Sequence, residues 1–159
     1  MVAVSLTDKV QQDMVAAMKT READRLSTLR MMKSALKNKE IDKRAPLADA
    51  EAEQVLVTMV KQRRDSIEQF TKGNRMDLVE KEAAEIPIIE SYLPKSASPE
   101  DIRSNVEAVI AEMSAAGSRP TPRDMGNVMK AVQAKFQASG LRADGKLVSE
   151  HVKAALASS

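Results

Sequence analysis

Two stretches near the C-terminal end of the sequence carry residue types that favour phosphate binding. They are residues 121–130 (TPRDMGNVMK) and residues 140–148 (GLRADGKLV), and each is typical of a turn that leads into a helix. A helix start leaves backbone N–H groups unpaired and carries a partial positive charge, so it attracts anions. Because cations accompany both starts, the pattern predicts a surface that binds a polyanion. The alternative is that both starts are ordinary helix caps.

The candidate residues for this surface are four cations and two glycines. They are Arg123, Gly126, Lys130, Arg142, Gly145 and Lys146. Gly126 falls in the middle of a predicted helix, where glycine costs about 1 kcal/mol relative to alanine. Either close packing against the last helix or the approach of a ligand backbone explains a glycine there. At Asp144 to Lys146, the alternatives are a simple cap and a phosphate held by the amides with Arg142 and Lys146 beside it.

A second set of cations lies on two predicted helices nearer the N-terminus. They are Arg30, Lys33 and Lys37, at the spacing of one helix face, and Lys61, Arg63 and Arg64, in a compact group. Two interpretations stay open for this secondary basic surface. It contacts a nucleic acid, or it is a solvated face whose cations pair with acids of the following helix.

The charge of the chain is divided along its length, although the net charge is only +2. Residues 19–64 carry 12 Lys or Arg and 7 Asp or Glu, residues 65–90 carry 3 and 7, and residues 117–159 carry 7 and 3. Basic stretches around an acidic one indicate a directional surface. Aromatic residues are scarce, which disfavours the stacking platforms of single-strand binders. Any RNA target is therefore expected to be folded and read by its shape and phosphates.

Catalytic chemistry has little support in the sequence. His151 is the only histidine, cysteine is absent, and no nucleotide-binding loop or metal-ligand cluster is visible. Glu82 and Glu85 share a helix face, but we expect them to form salt bridges with basic helices. The prediction is no catalytic residue, no metal and no cofactor.

The composition predicts an all-α protein, because Ala, Leu, Val and Met supply most of the apolar residues and Gly and Pro cluster at few places. Apolar residues recur at helical spacing in seven segments. The two-proline segment at 94–101 divides them, which predicts a four-helix, bundle-like N-terminal domain over residues 1–94 and a three-helix C-terminal domain over 95–159. The sequence shows neither a membrane span nor a secretion signal, and a cytoplasmic location is expected.

Several ordered stretches resemble one known family. They are 25–31 (RLSTLRM), 40–44 (EIDKR), 61–67 (KQRRDSI), 85–94 (EIPIIESYLP), 124–129 (DMGNVM) and 142–148 (RADGKLV). On these residues the chain resembles the YqeY-like proteins throughout its length. That family is similar to the C-terminal tail of the B subunit of the glutamine-dependent aspartyl/glutamyl-tRNA amidotransferase. Asn127 departs from the family pattern, in which many relatives have Lys.

The resemblance implies a helical bundle followed by a three-helix domain, and an association with tRNA, but no catalytic residue. The leading hypothesis is a non-catalytic tRNA-binding accessory protein, acting alone or beside an aminoacyl-tRNA-modifying complex, with no membrane partner. The second is a subunit or cofactor of a carbon–nitrogen ligase with glutamine as the amido-N donor, an activity that belongs to the related enzyme. The third is a structural interaction module with an exposed Met/Leu patch.

Overall fold

The computed structural model describes residues 3–158, and within them it contains seven α-helices and one 3₁₀ turn. The helices are α1 (Leu6–Thr20), α2 (Ala23–Lys43), α3 (Asp49–Lys72), α4 (Met76–Glu90), α5 (Pro99–Ala116), α6 (Met125–Ser139) and α7 (Gly145–Ala157), and the 3₁₀ turn is Pro122–Asp124. Extended backbone pairs in one isolated bridge in this range, between Ser96 and Arg142. The all-α prediction is confirmed. None of the helices in 3–158 is long and apolar enough to span a bilayer.

Contacts divide the chain into two compact units, one that ends at Leu93 and one that begins at Pro94. The N-terminal unit contains α1 to α4, with α1 packed along α2 and α3 packed along α4. Its core is mainly aliphatic and also contains Tyr92. Leu29, Met32 and Leu36 of α2 are fully buried because their spacing places them on one helix face.

The C-terminal unit has its own core, built from one apolar stripe on each of its three helices. The buried residues are Ile102, Val106, Val109 and Ile110 on α5, Val128, Val132 and Phe136 on α6, and Val148, Val152 and Leu156 on α7. The four-residue spacing on α6 and α7 aligns each set along a single face. This packing fixes which faces of the helices remain exposed.

The chain itself caps the helix starts of this unit. Ser98 and Asp101 form a reciprocal pair of hydrogen bonds at the start of α5. At the next start, the Asp124 carboxylate accepts from the Thr121 backbone N–H at 2.8 Å and from its hydroxyl at 3.0 Å. The Asp124 N–H donates to the Thr121 carbonyl, three residues back. The entry is therefore a 3₁₀ turn over Pro122–Asp124, and α6 begins at Met125.

Candidate nucleic-acid interface

Three of the predicted cations of the C-terminal unit are exposed. Arg123 lies in the 3₁₀ turn, Lys130 in α6 and Lys146 in the first turn of α7. The 3₁₀ turn contacts both α6 and α7, so the element that carries Arg123 adjoins the two helices that carry the lysines. Within residues 3–158, none of these three side chains takes part in an ion pair. Their charge is therefore available to an external anion.

Arg142 differs from these three because it is half-buried and tied to the chain that enters α5. Its backbone N–H donates to the Lys95 carbonyl at 2.9 Å, and its carbonyl accepts from the Ala97 N–H at 2.8 Å. Its guanidinium Nη2 donates to Ser96 Oγ at 2.8 Å. Arg142 therefore holds the loop before α7 in place and presents less of its charge to the surface than the sequence predicts.

The amides at the start of α7 are occupied by protein. Asp144 Oδ1 accepts from the Lys146 N–H at 2.8 Å and from the Leu147 N–H at 3.3 Å. A carboxylate at the N-cap satisfies the donors that a phosphate would use. Of the two alternatives for this segment, the structure shows the cap.

The two candidate glycines lie at helix starts. Gly126 is the second residue of α6, so the prediction of a mid-helix glycine is wrong, because the 3₁₀ turn displaces the helix start. A Cβ at Gly126 would meet no heavy atom within 4 Å, and the same holds for Gly145, the first residue of α7. Packing against α7 therefore does not explain Gly126. The backbone at both positions is open to approach from outside.

The three predicted cations of α2 line one groove. Arg30, Lys33 and Lys37 line a depression of about 470 Å³ with Ser34 and Asn38 of the same helix and Met14 of α1. None of these six residues carries a carboxylate. Lys37 Nζ lies 3.4 Å from Glu40 Oε2, but the Lys37 side chain is 65% exposed, so water screens this pair. Clustered cations in a depression focus a positive potential that attracts phosphate groups.

The cations of α3 do not form the surface that the sequence predicts. Lys61 is exposed, but Arg63 is only 8% exposed, and its Nε donates to Glu85 Oε2 at 2.9 Å. Arg64 Nη2 donates to Glu90 Oε1 at 2.8 Å. Including Arg63 in an exposed basic surface is therefore wrong. The alternative of pairing with acids of the following helix is confirmed for both arginines.

A different polar cluster has no counterpart in the sequence motifs. His151 is half-buried and lines a groove between α5 and α7 together with Arg103 and Arg119. The sequence assigns no role to His151, and the two arginines belong to none of its motifs. No motif links these three positions, because only the packing of α5 against α7 brings them together. Within residues 3–158, no group of three or more His, Asp or Glu is arranged to hold a metal ion.

Comparisons with known proteins identify a matching family and several similar proteins. A family model described as "Yqey-like protein" matches residues 7–156. Several relatives are named "Altered inheritance of mitochondria protein 41, mitochondrial". The one from Eremothecium gossypii is 34% identical, over 75% of this chain and 67% of the relative. The one from Lachancea thermotolerans is 35% identical, over 87% of this chain and 74% of the relative. The relative in Kluyveromyces lactis is 40% identical, over 65% of this chain and 56% of the relative.

These names bear on one expectation from the sequence. The prediction of a cytoplasmic protein is wrong on this comparison, because the relatives are named as mitochondrial proteins. The matched regions span between 56% and 74% of the length of these three relatives.

Proposed function

The chain belongs to the YqeY-like family, and on that premise we propose that it is a non-catalytic accessory protein that binds tRNA through phosphate contacts. The observation that carries this proposal is the α2 groove, which Arg30, Lys33 and Lys37 line without a carboxylate. Ser34 and Asn38 add hydrogen-bonding groups to the same depression. Cations held by a helix and accompanied by polar side chains suit the oxygens of a nucleic-acid backbone.

The C-terminal unit supplies the second set of contacts in this proposal. Arg123, Lys130 and Lys146 contribute exposed charge, and Gly126 and Gly145 leave the backbone open to a bulky ligand. Because Asp144 occupies the backbone amides of Lys146 and Leu147, side chains and not these two amides bind phosphate in this proposal. Arg142 acts here as a support that positions the loop before Lys146.

Folded RNA is the nucleic acid that best fits these surfaces. Tyr92 and Phe136 are buried and Phe70 is half-buried, so they offer little face for base stacking. Recognition by phosphate contacts and shape is the mode used for structured RNA. The resemblance of the family to the tail of a tRNA-dependent amidotransferase subunit favours tRNA among structured RNAs in this proposal.

Filter binding of the full chain to total tRNA over a series of salt concentrations tests the proposal. Each phosphate contact contributes roughly 0.7 to 0.9 to the slope of log affinity against log salt. Replacing Arg30, Lys33 and Lys37 together by Gln should therefore reduce the slope by about 2 to 2.7. Because the relatives are named as mitochondrial proteins, mitochondrial tRNA is the second RNA pool to test.

The matched control replaces three exposed cations that form ion pairs in the same unit, Lys43, Lys72 and Arg75, by Gln. It changes the net charge by the same amount at other positions. If both triple variants lose affinity equally, the binding reflects net charge and the groove is not the contact. Binding that is absent, or insensitive to salt, contradicts the whole proposal.

A further inference from the structure

A groove lies between α5 and α7, and the proposed tRNA contacts do not use it. Its volume is about 530 Å³, within the range of small-molecule sites. Its lining residues lie on α5, on α7 and in the loop after α5, and they include Arg103, Arg119 and His151.

The floor of the groove is apolar and exists because its side chains are small. Val106 and Ile110 belong to the core and close the groove from below. Ala111, Ala154 and Ala155 line it and reach only one carbon beyond the backbone. The hydroxyls do not change this character, because Ser114 Oγ donates to the Ile110 carbonyl at 2.7 Å and Ser158 Oγ donates to the Ala154 carbonyl at 3.0 Å.

The charged residues of the groove favour an anion. Arg103 and Arg119 supply two positive charges and Glu107 supplies one negative charge. Glu107 Oε1 lies 3.9 Å from Arg103 Nε, and both side chains are more than 60% exposed, so the pair is weak. Arg119 takes part in none of the ion pairs found in residues 3–158. The imidazole of His151 adds a hydrogen-bonding group.

We propose that this groove binds a small organic anion, with an apolar body against the alanines and a carboxylate or phosphate head at Arg119, supported by Arg103 and His151. An apolar pocket with a few polar groups orients a ligand by its head group and gains affinity from its body. The proposal does not depend on RNA binding, since it uses different residues.

Octanoate is a suitable probe because it joins an eight-carbon apolar chain to one carboxylate. His151 is the only histidine of the chain, so its imidazole resonance in the NMR spectrum of the full protein reports on the groove without ambiguity. Octanoate should shift this resonance saturably. Octylammonium, which has the same chain and the opposite charge, should bind at least about tenfold more weakly. Octyl phosphate in parallel shows which head group is preferred.

Two pairs of variants locate the probe, and all of them retain the histidine reporter. Ala111→Leu fills the groove from an exposed position and should abolish the saturable shift, whereas Ala115→Leu, exposed on the same helix outside the groove, should leave it unchanged. Arg119→Gln should lower octanoate affinity about fivefold, and Lys153→Gln, an exposed cation outside the groove, should have little effect.

Three results would each overturn the proposal. The first is a His151 resonance that octanoate does not shift. The second is equal binding of octanoate and octylammonium, which would mean that the arginines do not select charge. The third is an unchanged octanoate titration in Ala111→Leu, which would place the probe elsewhere on the protein.

Discussion

Replacing Gly126 by alanine should stabilise the C-terminal unit. Gly126 is the second residue of α6, its φ lies outside the left-handed region, and an added Cβ would meet no heavy atom within 4 Å. Alanine gains up to about 1 kcal/mol over glycine within a helix, and the first turn realises roughly half of that. The expected gain is about 0.5 kcal/mol, equivalent to a rise of about 2 to 4 °C in Tm for a unit of this size.

Urea unfolding followed by circular dichroism measures this gain, with Gly140→Ala as the reference. Gly140 has φ of +71°, in the left-handed region, so alanine there should cost about 1 kcal/mol. The opposite signs of the two changes are the test. If Gly126→Ala loses stability, some group does pack against that position, and the view of Gly126 as open backbone is refuted.

The same variant tests the role proposed for Gly126 in binding. If tRNA approaches the backbone closely there, Gly126→Ala should weaken tRNA binding several-fold although it stabilises the protein. A stabilised variant with unchanged tRNA affinity would remove Gly126 from the interface and leave the cations as the contacts.

Two further predictions concern stability. Glu85→Gln should lower the free energy of unfolding by about 3 kcal/mol, because it leaves the buried guanidinium of Arg63 without its counter-ion. Glu80→Gln, at an exposed position of the same helix, should change the free energy of unfolding by less than about 0.5 kcal/mol. Chemical denaturation of both variants measures the two changes. The pKa values of Asp101 and Asp124 are lowered from 3.8, because the backbone amide of the capping residue donates to each carboxylate. The stability that these carboxylates contribute is fully present above pH 3.8 and is lost as the pH falls through the lowered pKa values. In a double Asn variant, the free energy of unfolding from urea titrations should therefore fall less steeply as the pH is lowered. The same fall in the variant and the unmodified chain would contradict this assignment.

Much of the architecture follows from local patterns in the sequence. The four-residue recurrence of Val128, Val132 and Phe136 predicts both the helix and its buried face, and the structure has all three at 1% exposure or less. Ser98 and Asp101 predict their own cap, because both hydrogen bonds lie within four residues. Such features can be read from the sequence because their partners are sequence neighbours.

The environment of Arg63 depends on residues that are distant in sequence. Its partner Glu85 lies 22 residues away, on α4. Spacing nevertheless contains a signal, since Arg63 falls four residues after Met59 and seven after Leu56, on the apolar face of α3. A cation on the buried face of a helix needs a counter-charge, and the following helix, α4, provides acidic residues for it.

The candidate sites also combine features that are local in sequence with features that depend on distant residues. Arg30, Lys33 and Lys37 share a helix face, so their convergence is predictable, but the depression that contains them also needs Met14 of α1. The groove with Arg119 and His151 was not predictable, since it arises only when α5 and α7 pack together. The sequence leaves open whether Asp144 or a phosphate occupies the α7 amides, and only the position of the Asp144 carboxylate decides between these alternatives.

The bridge between Ser96 and Arg142 determines where the chain can be cut. Residues 95–97 precede α5, yet their backbone pairs with Arg142, which lies just before α7. A truncated protein that starts at Ser98, the N-cap of α5, would lack the Lys95 carbonyl and the Ala97 N–H that bond to the backbone of Arg142. A fragment of the C-terminal unit must therefore begin at Lys95 or earlier if the loop before α7 is to stay folded.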